Sequence, residues 1–234
     1  MANTTSSIRN LNELHPLVKT LAELALQEIR DYGINPLVVE TYRSKERQYY
    51  LYCKGRSYDE AVKGGVPAAK AKKYIDQLKA EKYTGGKVTW TLNSIHIERQ
   101  AIDVVPQRIV NGKMTAIWNA KDPETKKIIA TMSKYGFEAG ANWKSNPDSP
   151  HFQVKGTLAK TVFKRGYTTY YVTLAIQKAL NQVPNLLKVK LVEDGKWGDK
   201  TDEAVIAFRK YMKYKNKTAI LGSEALKALF SFTK

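Results

Sequence analysis

The run Ala101-Ile102-Asp103-Val104-Val105 sets one carboxylate in the middle of an otherwise apolar stretch. Five such residues read as a short buried strand, and Pro106 marks its expected end. A carboxylate carried into a core is expensive unless something positive holds it. Any fold of this chain must therefore bring a cation to Asp103. Two readings meet that demand: an ion pair with a Lys or Arg, or a divalent metal shared with His96, seven residues upstream. On pattern alone they stand level.

A second cluster bears on the choice. In Asn142-Trp143-Lys144-Ser145-Asn146-Pro147-Asp148-Ser149-Pro150-His151-Phe152, two prolines fix the backbone around Asp148 and His151. A tight segment of this kind can aim both side chains at one point. Two histidines and one aspartate would leave a tetrahedral zinc one open position for water. Asp148 could then take that water's proton as general base. An ordinary Asp-containing turn beside a strand-edge histidine is the plainer alternative. The third histidine, His15, precedes Pro16 at a helix start without ligand-spaced neighbours, and reads as a surface or capping residue. Cys53 is the sole cysteine, so no intrachain disulfide can form.

Periodicity and turn chemistry divide the chain. Leu17 to Tyr32 has helical spacing with Gly33 as its stop, Leu37–Val39 reads as a strand, and Ser44 can cap a helix running to about Tyr52. Residues 54–86, rich in Lys, Ala and Gly, read as a mobile helical insertion outside the core. Lys87–Leu92 alternates like a strand, Asn111-Gly112 marks a hairpin, Lys126–Tyr135 is helical, and Phe152–Val154 is a last strand. This mixture predicts an α+β domain over residues 1–155. A linker follows at 156–169, then a small all-α domain at 170–234. There Val172, Ile176 and Leu180 share one helix face, Val205, Phe208 and Met212 a second, and Leu226 and Leu229 a third.

Lys and Arg number 39 against 22 Asp and Glu, a formal charge of +17. About +6 falls from Thr168 onward, so the charge is spread along the chain. A polyanion is the natural partner: nucleic acid, an anionic membrane or an anionic cell wall. No helix-turn-helix, RRM or zinc-finger pattern supports nucleic acid. Without an apolar run of about 18 residues no membrane span is expected, and residues 1–12 lack the apolar core of a secretory signal.

Taken together, the blocks resemble a known family. Ser94-x-His96-x-x-x-x-Ala101-x-Asp103 resembles the Ser-x-His-x-x-Gly-x-Ala-x-Asp signature of the LAS peptidases, which include D-Ala-D-Ala peptidases. Trp143 through Pro150-His151-Phe152 is similar to the family's Trp-x-x-x-x-Asp-x-Pro-His-Phe segment. Glu40-Thr41-Tyr42-Arg43-Ser44 with Gln48 is similar to its strand-to-helix stretch. The resemblance covers about residues 15–154. It implies a zinc peptidase fold with a small antiparallel sheet and flanking helices, and one Zn²⁺ per chain on His96, Asp103 and His151. It further implies Asp148 as base and Arg43 at the substrate carbonyl, where a fixed guanidinium would stabilise an oxyanion. Gln48 is either a substrate contact or a structural amide.

The most similar subgroup is the phage L-alanyl-D-glutamate endopeptidases, which are endolysins cutting the peptidoglycan stem peptide. A D,D-carboxypeptidase and an inactive wall-binding protein are the alternatives. The subgroup implies a monomer acting on peptidoglycan, with no nucleic-acid partner and no stable membrane insertion, made in the host cytoplasm and reaching the wall at lysis. Two departures stand out. Arg99 occupies the family's glycine, which would require a rearranged loop if that position has positive φ, and Asn142 stands where many relatives carry aspartate. Ile176-Gln177-x-x-Leu180-Asn181, Asp194-Gly195-Lys196-Trp197-Gly198-x-x-Thr201 and Ala204-Val205-x-x-Phe208 resemble the three-helix peptidoglycan-binding module, in which Trp197 is as well placed to pack as to bind.

Overall fold

The computed structural model describes residues 4–154, 158 and 161–233. Helix α1 (Pro16–Asp31) buries Leu17, Val18, Leu21, Ala22, Ala25, Leu26 and Ile29 on one face and stops where Gly33 takes φ +77°. His15 caps it, its Nδ1 accepting from Leu17 N at 3.3 Å, as the sequence suggests. Strand β1 (Pro36–Glu40) leads into α2 (Lys45–Cys53), which Ser44 caps through its hydroxyl. Helices α3 (Tyr58–Lys63) and α4 (Ala68–Ala80) follow, then β2 (Ala101–Val110), β3 (Lys113–Ala116), α5 (Pro123–Lys134), β4 (Phe137–Ala139) and β5 (His151–Val154).

The strands form one antiparallel sheet in the order β1-β2-β5-β4, with β3 pairing the far end of β2. The α+β expectation holds. Strand β2 is twice its expected length, because Pro106 sits opposite Pro36 at the end of the β1 pairing, where no ladder N–H is required. Beyond it the Asn111-Gly112 turn, both residues at positive φ, folds β3 back onto β2.

Two expectations need correction. Residues 54–86 are helical but not coreless: α2, α3 and α4 enclose Tyr50, Cys53, Ala61, Val66, Ala71, Tyr74, Ile75 and Leu78 in a small core of their own. Lys87–Leu92 forms no strand. Its polar groups are held by side chains instead: Gln48 Nε2 donates to Thr91 O (2.6 Å) and Thr89 Oγ1 (3.2 Å), and Arg56 Nη2 donates to Thr89 O (2.9 Å).

The C-terminal helices are α6 (Tyr170–Gln182), α7 (Asp199–Tyr211) and α8 (Ser223–Phe230). Their buried stripes run without a break into the core around α1, and the rings of Tyr135 and Tyr171 meet at 4.0 Å. Gln177 ties the group internally, donating to Asp194 Oδ1 and Lys196 O and accepting from Gly195 N. The expected linker, 156–169, lies partly outside the described residues. Of its described part, Leu158 is buried with its N–H on Gln100 Oε1, and Phe163 pairs with Leu221.

Candidate metal centre

Asp103 and His151 face each other directly across β2 and β5, so the antiparallel register sets their side chains side by side. His96 arrives from the turn before β2. Two hydrogen bonds fasten that turn to the β1–α2 corner: His96 Nδ1 donates to Thr41 O at 2.6 Å, and Arg43 N donates to His96 O at 3.2 Å. Thr41 is itself anchored, its hydroxyl donating to Ile8 O and Asn10 O.

Three ligand atoms converge. His96 Nε2 lies 3.0 Å from Asp103 Oδ1 and 3.2 Å from His151 Nδ1, and the latter two are 3.1 Å apart. Ligands at about 2.0 Å from a tetrahedral zinc stand about 3.3 Å from one another. The proton accounting agrees. Thr41 O can only accept, so His96 carries its proton on Nδ1 and turns a bare lone pair inward. His151 Nε2 faces Gln153 Oε1 at 3.1 Å, which leaves His151 Nδ1 bare as well. Two nitrogen lone pairs and a carboxylate oxygen therefore point at one spot with no proton between them, an arrangement that a cation satisfies. These residues fit zinc, and among the described residues they are the one such His/Cys/Asp/Glu group.

The three groups also perturb one another's titration. Burial alone would raise the Asp103 carboxyl, but His96 and His151 override it and hold the group well below the usual carboxylate range. Burial pulls His151 down, and its bond to Asp103 reverses this to a net rise. Both readings of Asp103 are thus visible: Arg43 Nη2 stands 3.8 Å from Oδ2, too long for a hydrogen bond, while Oδ1 belongs to the histidine pair.

His96 and His151 line an open cleft of about 660 Å³, with Asp103 behind them. Asp148 and Arg43 line it too. Asp148 is exposed, yet desolvation by the surrounding protein first, and the Asp103 charge second, raise its carboxyl above the ordinary value. Its turn is pinned by Asp148 N on Gly140 O and His151 N on Asp148 O. Trp143 packs on the His151 ring at 5.1 Å and donates to Glu138 Oε1. Asn142 is exposed, one residue before it.

Arg43 is rigid. Its Nε and Nη2 both donate to Glu40 Oε2, and Nη1 donates to Gln48 Oε1 at 3.0 Å. Gln48 is fully buried with its amide satisfied by Arg43, Thr89 and Thr91, so it supports Arg43 from behind and has no free face for substrate. Of its two sequence readings, the structural one fits. Glu40 belongs to the family-like stretch but was given no role by the sequence: it is buried and grips Arg43 and Arg47 at once. Gly140 escaped the sequence reading. Arg99 overturns the expected rearrangement, since it adopts φ +60° itself. Its guanidinium offsets that strain by donating to Glu13 O and Oε2 and lying 4.0 Å over the Tyr42 ring.

Residues 87–154 match the protein-family model described as D-alanyl-D-alanine carboxypeptidase. The match covers this segment alone, and the His96, Asp103 and His151 cluster lies within it. The L-alanyl-D-glutamate peptidase of Listeria phage A118 is 29% identical over 166 residues, which are 70% of this chain and 46% of that protein. The chain thus spans about half the length of this curated relative. Among solved structures, the Serratia marcescens L-Ala D-Glu endopeptidase ChiX is similar at 23% identity and a TM-score of 0.38, over 65% of this chain and 89% of that one. The vancomycin-resistance D,D-pentapeptidase VanY, solved with Zn(II), is similar at 18% identity and a TM-score of 0.35, over 61% and 72% respectively. The candidate ligand set, Asp148 and Trp143 fall inside the matched segment; Arg43 and Gln48 precede it.

Proposed function

We propose that this protein is a zinc-dependent peptidoglycan hydrolase that cuts the stem peptide at the L-Ala–D-Glu bond, with His96, Asp103 and His151 as ligands. One observation carries the reading: three bare ligand atoms converge where His96 and His151 line an open cleft, which a carboxylate and a fixed guanidinium line too. When bound, zinc supplies a Lewis acid and lowers the pKa of a water. Asp148 accepts the proton that water gives up as its oxygen bonds to the amide carbon. Arg43, held by Glu40 and Gln48, faces the negative charge that grows on the carbonyl oxygen. As the C–N bond breaks, Asp148 returns the proton to the leaving nitrogen, so the products are one carboxylate and one amine.

The likeness to the phage peptidase supports the L-Ala–D-Glu bond, and the family match supports D,D-carboxypeptidase activity as the second reading. Mass spectrometry of digested peptidoglycan separates them. New L-alanine C-termini and D-glutamate N-termini support the first; release of single D-alanine residues supports the second. Chelation should abolish either activity and Zn²⁺ restore it.

Residues 170–234 serve as the wall-binding part in this reading, raising the local enzyme concentration on its substrate. The protein works as a monomer, since one chain provides every ligand, the base and Arg43, and it acts without nucleic acid or membrane insertion. No helix of the described residues is long and apolar enough to cross a membrane. Production in the host cytoplasm and release at lysis accord with the phage relative. Retention of the protein on purified walls at 1 M salt, where charge attraction is screened within about 3 Å, tests the wall-binding role.

A further inference from the structure

The insertion and the metal cleft meet in one segment, residues 87–93. Its start passes close to Gly55, where a Cβ would stand 2.5 Å from Lys87 N. Lys87 pairs with Glu60 of α3, and Leu92 packs on the α2–α4 core. Arg56 then donates to Thr89 O and lies between two rings, 3.9 Å from Tyr52 and 5.6 Å from Trp90. The outcome is an indole 60% exposed that lines the metal cleft together with Trp143, Asn146 and Pro147. A large aromatic kept in water beside a reaction site is a surface waiting for an apolar or ring-shaped partner.

The linkage through Gln48 bears on which part of the substrate reaches it. Gln48 joins the Arg43 guanidinium to Thr89 and Thr91, so Arg43 and the Trp90 segment are tied together in the lining, while Asp148 enters it from the separate turn before β5. Arg43 faces the scissile carbonyl and Asp148 the leaving amine. The acyl fragment therefore extends along the Trp90 segment. For cleavage after the first alanine of a stem peptide, that fragment is one residue joined by an amide to the lactyl ether of an amino sugar. An amino sugar is thus the next group along this segment. Its axial C–H face is apolar and flat enough to lie on an indole, and its hydroxyls and N-acetyl group meet the polar Thr89, Thr91 and Asn93 of the same segment.

Resting on the activity proposed above, we infer that Trp90 is a specificity-determining residue that binds the muramyl sugar, so that the enzyme prefers stem peptide still attached to glycan. The probes are a free stem tetrapeptide and the same tetrapeptide carrying N-acetylmuramic acid on its alanine. For the wild type, kcat/KM should be greater for the muramyl peptide by about tenfold, the size of one good aromatic contact. Trp90→Ala should bring the ratio close to one, and Trp90→Phe should keep an intermediate preference. Zinc content should be unchanged in both variants. Equal kcat/KM values for the two probes in the wild type, or a preference that survives Trp90→Ala, would overturn the inference. Cleavage of neither probe by the wild type would instead overturn the proposed activity itself.

Discussion

A methyl group on Gly140 would stand 2.5 Å from the carbonyl oxygen of Asp148. It would also meet Asp148 Cβ at 3.3 Å and His151 Cβ at 3.2 Å, so the turn carrying the base and a ligand rests directly on bare backbone. Gly140 has no positive φ among the strained residues; the constraint is space alone. Gly140→Ala should push this turn outward. A displacement near 1 Å costs about 10²-fold in rate, and a steady-state assay on stem peptide would register it, with circular dichroism showing the fold intact.

Asp148→Asn should leave zinc stoichiometry unchanged and lower kcat by about 10²–10⁴-fold, the usual contribution of a general base. His151→Ala should lose the metal. Metal analysis beside kinetics separates the two: a variant at 148 without zinc, or one at 151 fully loaded and active, contradicts the assignment.

Glu40 holds both Arg43 and Arg47 with its side chain only 4% exposed. Removing it strands two cations in a partly buried site. Glu40→Ala should destabilise the protein by about 3–5 kcal/mol, measured by urea unfolding, and should depress activity beyond that through a loosened Arg43. Arg43→Lys tests the second part alone, since lysine cannot occupy Glu40 and Gln48 with one rigid fork.

His15 supplies a pH dependence. Burial first, and the Lys227 charge second, lower its pKa from 6.5 to about 4. Between those values the unfolded chain binds more protons than the folded one, so stability must fall as pH drops from 6.5 towards 4 and must be whole above 6.5. His15→Asn keeps a good N-cap without the titration. Its melting temperature, followed over that pH range, should decline less steeply than that of the wild type.

Part of the candidate site was legible from local chemistry. Asp103 in an apolar run calls for a cation through its burial cost, and the prolines around Asp148 and His151 mark a tight turn, but only the family resemblance decided between the alternative roles of these residues. Glu40 and Gly140 carry no such local sign. A glutamate ending a strand is ordinary until two arginines fold onto it, and Gly140 matters only because the Asp148 turn lands against it. The same limit explains residues 54–93. Alternation in Lys87–Leu92 suggests a strand, but a ladder needs a neighbouring strand, and here side chains of Gln48 and Arg56 satisfy the backbone first. For the C-terminal helices, periodicity reveals which face is apolar and not what covers it. That α1 shares a core with them is a tertiary fact.

The Asp103–His151 pairing has a consequence for quality control during folding. Successive side chains of a strand point to opposite faces, so a slip of one residue between β2 and β5 would turn Asp103 or His151 away from His96. A chain zipped in the wrong register has no metal-binding triad. Binding of an ion then rewards only the correctly paired sheet, and under the proposed activity a misregistered copy is born harmless.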